Sequence, residues 1–258
     1  LAVLIRFTLP EPVRGASETL VSDNTYTPPV LDVVKFLWAR KSFRYMALGA
    51  SLHTFVGYGV GYWVAPFLMR SHHIGTALIG QWLFYLGFAG LLGTFLGGVL
   101  ADRLIRRDVR WYVWLPGITV MIAVPFSAFV YTYPDYRVAL TVAMVPSLLG
   151  AYYLAPLFAL TQAMVGLRMR ALAASIILFI TNLIGMGLGP QLTGIISDLF
   201  NRYTQLGSES LRWALVTVLS ANLASAGIYL YSARYLRDDL QRPKELEAPA
   251  GAREEAAA

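Results

Sequence analysis

Six long apolar stretches, separated by short polar segments, dominate the pattern of the chain. They cover residues 45–69, 77–101, 111–133, 138–163, 172–197 and 213–233, and none of them contains Asp, Glu, Lys or Arg. Each has about the 20 residues or more that a helix needs to cross the hydrocarbon core of a bilayer. A soluble six-helix bundle would need polar outer faces, whereas these stretches are apolar almost all round. The pattern therefore predicts an all-α membrane protein with six transmembrane helices.

The segments on either side of these stretches are more polar. Residues 1–5 are apolar and precede Arg6, which predicts the end of an earlier helix entering the cytoplasm. A signal peptide is the alternative interpretation. It would need a basic stretch before the apolar run and a small-residue cleavage site, and the sequence has neither. Residues 31–39 are predicted to form an amphipathic helix on the membrane surface, and residues 237–258 to be disordered. The predicted organisation is a linker (1–44), a six-helix bundle (45–233) and a cytoplasmic tail (234–258).

Composition and charge fit a membrane protein and predict its orientation. Charged residues make up 14% of the chain, against about 25% in soluble domains. Seventeen of the 21 Lys and Arg residues lie on one side of the predicted spans, and such charge favours the cytoplasm. Both termini are thus predicted to be cytoplasmic, and the net charge of +6 reflects topology and not nucleic-acid binding. The Ala-rich tail favours a bacterial inner membrane.

The six stretches contain a short internal repeat. Residues 98–102 (GVLAD) end the second stretch, and residues 194–198 (GIISD) end the fifth. The two segments lie three spans apart and therefore on opposite sides of the membrane. This placement is typical of an inverted repeat of three plus three helices.

Residues 97–107 (GGVLADRLIRR) combine glycine, an acid and basic residues. This segment resembles the cytoplasmic signature of carriers of the major facilitator superfamily, although the family usually has a second glycine in place of Ile105. Residues 11–15 (EPVRG), 63–68 (WVAPFL) and 182–190 (NLIGMGLGP) resemble the spinster-like branch. The resemblance covers essentially the whole chain. It implies the C-terminal half of a twelve-helix carrier, with the six spans as helices seven to twelve.

The resemblance implies a gating role for the cytoplasmic signature. Asp102 can pair with Arg106 or Arg107, or accept N–H groups at the start of the fifth stretch. In carriers of this type such a contact is expected to hold one of the alternating conformations. The alternative is that the basic loop only determines the orientation of the helices in the membrane and that Asp102 is solvated. The implied gating set is Gly98, Asp102, Arg103, Arg106, Arg107, Arg168 and Arg170.

Two pairs of glycines predict close helix contacts. Gly93 and Gly97 lie in the second stretch, and Gly185 and Gly189 in the fifth. Small residues at this spacing let another helix approach closely. Pro190 follows directly and is expected to kink the fifth helix. Ordinary tight packing and a role in gating are both compatible with these residues.

A polar stripe along the first stretch predicts a binding cavity. An ionisable His within a membrane segment indicates a functional site by default. By the family architecture, the fourth stretch would also line this cavity and the second and fifth would flank it. The alternative role is interhelical hydrogen bonding, worth about 0.6 kcal/mol per contact, which is favoured for Gln81, Gln162, Asn182 and Asn222 taken singly. The stripe is His53, Thr54, Gly57, Tyr58, Gly61 and Tyr62, and the other stretches add Gln81, Tyr85, Tyr152, Tyr153 and Asn182.

The resemblance implies a secondary carrier that moves an amphiphilic or lipid-like solute, such as a lysolipid or sphingoid molecule, by alternating access. Sugars and other organic solutes stay open, because a fold does not set its substrate. Proton coupling is the family expectation. Since the stretches contain no carboxylate, the group that carries the proton is either His53 or an acid of the missing N-terminal half.

Two other functional classes stay open beside the carrier: a membrane enzyme acting on lipid, and a non-transporting interaction protein. The enzyme would need a cluster of Asp, Glu, His or Ser at one membrane depth, and His53 has no acidic partner within the stretches. The sequence has no phosphate loop, nucleophile elbow or zinc spacing, and it has no Cys. No enzymatic activity, cofactor or metal is therefore predicted.

Overall fold

The computed structural model describes residues 28–242, which are helical almost throughout. Short 3-10 turns occur at Ala151–Tyr153, Leu167–Met169 and Gly207–Glu209. All six predicted spans are helical, which confirms the all-α membrane fold, and the predicted end of an earlier helix at residues 1–5 lies outside the described residues. The helices are α1 (Val30–Trp38), α2 (Lys41–Ser71), α3 (Thr76–Ile105), α4 (Trp111–Thr132), α5 (Tyr136–Gly150), α6 (Leu154–Ala163), α7 (Arg170–Thr204) and α8 (Ser210–Gln241).

Within residues 28–242, five helical stretches are long and apolar enough to cross a membrane. They are Thr76–Ile105, Trp111–Thr132, Tyr136–Ala163, Leu167–Thr204 and Ser210–Gln241. Helix α2 is 31 residues long but is not among these five, because its His, Thr, Gly and Tyr residues make it less hydrophobic. It packs along α7 and α8. The least apolar of the six spans is therefore one that neighbouring helices cover extensively.

The fourth predicted span is broken near its middle. Helix α5 ends at Gly150, a 3-10 turn follows, and α6 begins at Leu154. Pro146 lies inside α5 and Pro156 lies in the first turn of α6. Since proline lacks the N–H that closes a helical hydrogen bond, these residues account for the irregular geometry. The break places the carbonyl of Gly150 inside the bundle, near the middle of the fourth span.

In the part of the chain that the structure describes, two clusters of buried apolar side chains hold the bundle together. One contains residues of α2 up to Ala50, and the other begins on α2 at Val56. His53 lies between the two clusters along this helix. The polar stripe of α2 is therefore placed where the apolar core is interrupted.

Helix α1 matches the amphipathic helix predicted at residues 31–39. Val33 and Leu37 are fully buried and belong to the same apolar cluster as Met164 and Met169. The apolar face of α1 thus packs against the protein. Its location on the membrane surface stays a prediction.

The structure differs from the predicted disordered tail where that tail begins. Helix α8 continues to Gln241, so residues 234–241 are helical, and residues 243–258 lie outside the described part of the chain. The carboxylate of Asp239 is buried and accepts hydrogen bonds from the backbone N–H and the hydroxyl of Ser42, both at 2.8 Å. Arg242 lies 3.4 Å from the same carboxylate. Asp239 therefore caps the start of α2 and holds the end of α8 against it.

Replacing Asp239 by Ala is expected to lower the free energy of unfolding by about 2 kcal/mol, because two charge-assisted hydrogen bonds are lost. Asp238 is exposed, so Asp238→Ala is a matched control that should change stability little. Thermal unfolding of the purified protein in detergent measures both effects. Equal melting temperatures for the two variants would contradict the assigned cap.

Candidate functional site

A cavity of about 530 Å³ lies inside the bundle, within the range of about 300–1,000 Å³ of small-molecule sites. Its wall is formed by α2, α3, α4, α5, the turn after α5, and α8. The described lining residues include no Asp, Glu, Lys or Arg, and most are Val, Leu, Ala, Gly or Pro. The polar lining residues are His53, Thr54, Tyr58, Ser127, Tyr131, Ser147, Tyr153 and Asn222.

His53 joins three parts of the bundle at this cavity. Its Nδ1 lies 3.0 Å from Oδ1 of Asn222 in α8. Its Nε2 lies 2.8 Å from the carbonyl oxygen of Gly150 at the break after α5. The Tyr153 ring and the imidazole pack in a T-shaped arrangement, with the ring centroids 4.8 Å apart. A single side chain of α2 therefore connects α8 with the irregular part of the fourth span.

The partners of His53 allow the imidazole to be neutral or charged. Because the Gly150 carbonyl only accepts hydrogen bonds, Nε2 must carry a proton. A neutral ring then accepts from the side-chain amide of Asn222 at Nδ1, whereas a charged ring donates to its oxygen. An amide can turn its nitrogen or its oxygen towards the ring, and the two orientations are assigned from the hydrogen bonds. Asn222 thus suits both protonation states.

Two other residues of the α2 stripe make contacts with α7. Thr54 donates its hydroxyl to the carbonyl of Thr181 at 3.0 Å, and Tyr58 donates to Oδ1 of Asn182 at 2.8 Å. Both Thr54 and Tyr58 also line the cavity, whereas Asn182 does not. These bonds fix the stripe relative to α7 and leave His53 directed towards α5 and α8.

Several sequence candidates lie away from the cavity lining. Gln81 and Tyr85 are exposed on α3 and hydrogen-bond to each other at 3.2 Å. Tyr62 is 67% exposed, and Tyr152 packs against Gly97. Helix α3 instead contributes Leu83, Leu86 and Gly87 to the wall. The structure therefore brings together His53, Thr54, Gly57, Tyr58, Gly61 and Tyr153 from the predicted set.

Sequence reasoning missed four polar groups of the lining. Ser127 and Tyr131 line the cavity from α4 and Ser147 lines it from α5, whereas the sequence favours Asn222 only as an interhelical hydrogen-bonding residue. The available signal for Ser127, Ser147 and Asn222 is that each is a polar residue within an apolar span. That signal alone does not distinguish a cavity wall from an ordinary helix contact.

Comparison with known proteins adds an independent line of argument. No protein-family model matches the chain. It is 30% identical over 224 residues to an MFS-type efflux pump of Mycolicibacterium smegmatis, which is 84% of this chain and 52% of that protein. It is 22% identical over 257 residues to protein spinster homolog 3 of Danio rerio, which is 92% of this chain and 51% of that protein.

A solved structure of a spinster homologue is also similar to this chain. It is a bacterial homologue of the human lysosomal transporter spinster in an inward-facing, unoccupied conformation. The match has a TM-score of 0.75 and 27% identity, and it covers 94% of this chain and 58% of that one. The chain is a homologue of the spinster-like carriers of the major facilitator superfamily. This confirms the predicted family.

The spinster-like chain spans about half the length of the curated relatives it matches. This coverage agrees with the prediction that it corresponds to half of a carrier. The relatives are transporters by name, and the long apolar helices of this homologue contact lipid. It is a multi-pass membrane protein.

One predicted glycine pair of the spinster-like bundle lies where α3 meets α5. A Cβ on Gly97 would lie 2.8 Å from the Cα of Tyr152, and one on Gly93 would overlap the carbonyl of Leu148. These are backbone atoms and cannot move aside as a side chain can. The two glycines therefore permit the approach of α3 to the irregular fourth span.

The second glycine pair lies where α7 meets α2. A Cβ on Gly185 would lie 2.8 Å from Oγ1 of Thr54, and one on Gly189 would lie 2.5 Å from the carbonyl oxygen of Phe55. Helix α7 continues across Pro190, and the predicted kink at this residue stays a prediction. The contact positions the α2 stripe against α7.

The cytoplasmic signature lies at the end of α3 and around the start of α7. Its charged residues Asp102, Arg103, Arg106, Arg107, Arg168 and Arg170 are exposed, and Gly98 is half-buried. Asp102 has no ion pair or hydrogen bond within residues 28–242. Its role in holding one of the alternating conformations therefore stays a prediction.

An unpredicted acid, Asp108, holds the loop after α3. It accepts the N–H of Arg110 at 2.9 Å and pairs with Arg237 of α8 at 2.8 Å. The pKa of Asp108 lies below its usual value, first because of the Arg110 N–H and then because of the Arg237 guanidinium. The basic loop of the signature is thereby connected to the C-terminal part of α8.

Proposed function

We propose that this chain forms one six-helix half of a secondary carrier that moves an amphiphilic or lipid-like organic solute by alternating access. The single observation that carries the proposal is the cavity beside His53, which has a mainly apolar wall, a few polar groups and no charged residue among its described lining. Similarity to transporters about twice as long supports a second bundle as the partner half.

The arrangement of the wall suits a solute with two unlike ends. His53 and Asn222 contact each other in the lining, and the Gly150 carbonyl adds an acceptor beside them. Val64 and Leu140 belong to the apolar remainder. A solute with a hydrogen-bonding head and an apolar body would satisfy both regions, whereas a polyhydroxylated sugar would leave many polar groups facing aliphatic side chains.

Proton coupling would use His53 or an acid of the second bundle. His53 suits this role because its partners accommodate both protonation states. A change of state at His53 would alter the hydrogen bonds to Asn222 in α8 and to the break after α5. Because His53 contacts both segments, its protonation would then be coupled to movement of α8 and of the break after α5.

The proposed carrier lies in a bacterial inner membrane with both termini of this segment in the cytoplasm. The charge bias of the loops supports this orientation. It places the exposed signature residues of α3 and α7 on the cytoplasmic side. These residues would then form the gate on that side.

A translocation assay in liposomes tests the proposal. We expect liposomes containing the full-length carrier to move fluorescent lysophosphatidylcholine between leaflets faster than protein-free liposomes, as measured by bleaching of the outer leaflet. Unlabelled lysophosphatidylcholine should compete. Translocation at the protein-free rate would favour a non-transporting protein, and a change in the mass of the lipid would favour an enzyme; either result would refute a carrier for this solute class.

A further inference from the structure

Three tyrosines pack together where α2 begins and α8 ends. The ring centroid of Tyr45 on α2 lies 5.0 Å from that of Tyr231 and 5.7 Å from that of Tyr235, both on α8. The two α8 rings have their centroids 5.7 Å apart, and their hydroxyls are hydrogen-bonded to each other at 3.0 Å. Tyr231 is exposed, and the other two tyrosines are half-buried. This tyrosine cluster therefore forms an aromatic surface that joins the two helices.

Two cations lie on the tyrosine cluster. Lys41 Nζ is 5.1 Å from the ring centroid of Tyr235, and Arg234 Cζ is 5.1 Å from that of Tyr231. Both cations are exposed, and neither has an ion pair among the described residues, not even with the exposed Asp238 one turn after Arg234. A ring face attracts a cation without neutralising its charge. The surface therefore presents positive charge that the described part of the protein leaves uncompensated.

Arg44 adds a hydrogen-bond donor beside these cations. Its Nε is buried and has no hydrogen-bond partner in the described part of the chain, although buried polar groups are normally hydrogen-bonded. Arg44 follows Lys41 by three residues on α2, so the two side chains are neighbours on the helix surface. The ring-bound cations and this donor together favour an anionic group such as a phosphate, with which Lys and Arg form charge-assisted hydrogen bonds.

Apolar surface follows the tyrosine cluster towards the middle of both helices. On α8, Gly227 and Leu223 lie one and two turns before Tyr231, and both are exposed. A Cβ on Gly227 would meet no atom within 4 Å, and Leu223 lies about 12 Å from Tyr231 along the helix axis. On α2, Leu48 lies one turn after Tyr45 and is 46% exposed. One face of the bundle thus joins an aromatic, cationic end to an apolar part.

We propose that this face binds an anionic diacyl phospholipid of the surrounding bilayer, with its phosphate between Lys41 and Arg234 and an acyl chain along Leu48 and Gly227. Tyrosines are enriched at the depth of the lipid head groups, and basic residues at this depth attract anionic lipids. Charge complementarity selects an anionic head group, because a phosphocholine would bring its own cation towards the two cations of the protein. The inference goes beyond the proposed function and does not depend on it, since binding of this lipid is measured without transport.

Native mass spectrometry of the full-length protein tests the inference. The purified protein is stripped of lipid in detergent and titrated with dioleoylphosphatidylglycerol or with dioleoylphosphatidylcholine, which share their acyl chains and differ in head-group charge. We expect the phosphatidylglycerol to bind at least fivefold more tightly. Glycerol 3-phosphate at the same concentration should not displace it, because this compound lacks the acyl chains that the apolar part of the face holds.

Matched variants locate the binding site. The double variant Lys41→Gln/Arg234→Gln should bind the two lipids equally. Lys35→Gln/Arg202→Gln removes the same charge from two exposed residues elsewhere on the protein and should keep the preference. The melting temperatures of both double variants without lipid report whether folding is intact.

A second pair of variants tests the aromatic part of the site. Tyr235→Leu removes the ring that holds Lys41 and should weaken phosphatidylglycerol binding at least threefold. Tyr203 is 76% exposed near the end of α7, and Tyr203→Leu should change this binding little. Equal weakening by the two substitutions would contradict a role of the tyrosine cluster.

Three results would overturn the inference as a whole. The first is equal binding of the two lipids by the parent protein, and the second is a preference that survives in Lys41→Gln/Arg234→Gln. The third is a preference that appears only after residues 243–258, which include four Glu, are removed, because this would assign the face to the tail of the chain. Displacement by glycerol 3-phosphate would refute the diacyl lipid and leave only a phosphate site.

Discussion

Gly189→Ala is expected to destabilise the bundle by about 3 kcal/mol, which is at the upper end for overpacking a tight contact. The added Cβ would lie 2.5 Å from the carbonyl oxygen of Phe55 and 3.0 Å from the backbone nitrogen of Gly59. Both are main-chain atoms of α2, so the two helices would have to separate. The effect should appear as a large fall in melting temperature and in the yield of monodisperse protein in detergent.

Gly187→Ala is the matched control for this prediction. Gly187 lies on the same helix, and a Cβ there meets no atom within 4 Å. Alanine favours a helix over glycine by about 1 kcal/mol, so this variant should be as stable as the parent or more stable. Equal stability of Gly187→Ala and Gly189→Ala would contradict the packing of α2 against α7.

His53→Ala is expected to reduce translocation at least tenfold while the protein is still produced and folded. The substitution removes the hydrogen bonds to Asn222 and to the Gly150 carbonyl and the ring contact with Tyr153. The break after α5 would lose its connection with α2 and α8. Initial rates in the liposome assay, with reconstitution efficiency measured in parallel, provide the test.

Two further variants separate the possible roles of His53. Thr217 is an exposed polar residue of α8 outside the cavity lining, and Thr217→Ala should transport normally. His53→Gln keeps a donor and an acceptor but cannot take up a proton. Recovery by Gln would assign His53 a hydrogen-bonding role, and continued loss together with an altered pH profile would assign it a proton-carrying role. Normal transport by His53→Ala would exclude both.

The sequence predicted the spans well because length and apolarity suffice to identify a membrane helix. Predicting which candidates share a cavity was less successful, since this depends on the rotation of each helix about its axis. On α3, Leu83, Leu86 and Gly87 line the cavity, whereas Gln81 and Tyr85 bond to each other on the exposed surface. Polarity alone does not reveal this rotation, because an exposed polar pair can satisfy its own hydrogen bonds.

Long-range partners were also beyond the sequence. The charged segment that begins at residue 234 has the composition of a tail, yet α8 continues to Gln241, and its Asp239 accepts hydrogen bonds from Ser42, 197 residues away in the chain. The contact between Asn222 and His53 is a second example. The sequence identifies His53 as an unusual residue for a membrane span, but its pairing with Asn222 depends on how α2 packs on α8. Spacing within one helix predicts a shared face, whereas contacts between distant helices require their packing.

The most direct test of the transport site uses the absence of cysteine from this chain. Ser147 lines the cavity, and Ser147→Cys in a carrier otherwise free of cysteine can be labelled by a membrane-impermeant maleimide added inside or outside the liposomes. Alternating access predicts labelling from both sides, slowed from each side by lysophosphatidylcholine. Labelling from one side only, or labelling that lysophosphatidylcholine does not slow, would contradict a transport site in this cavity.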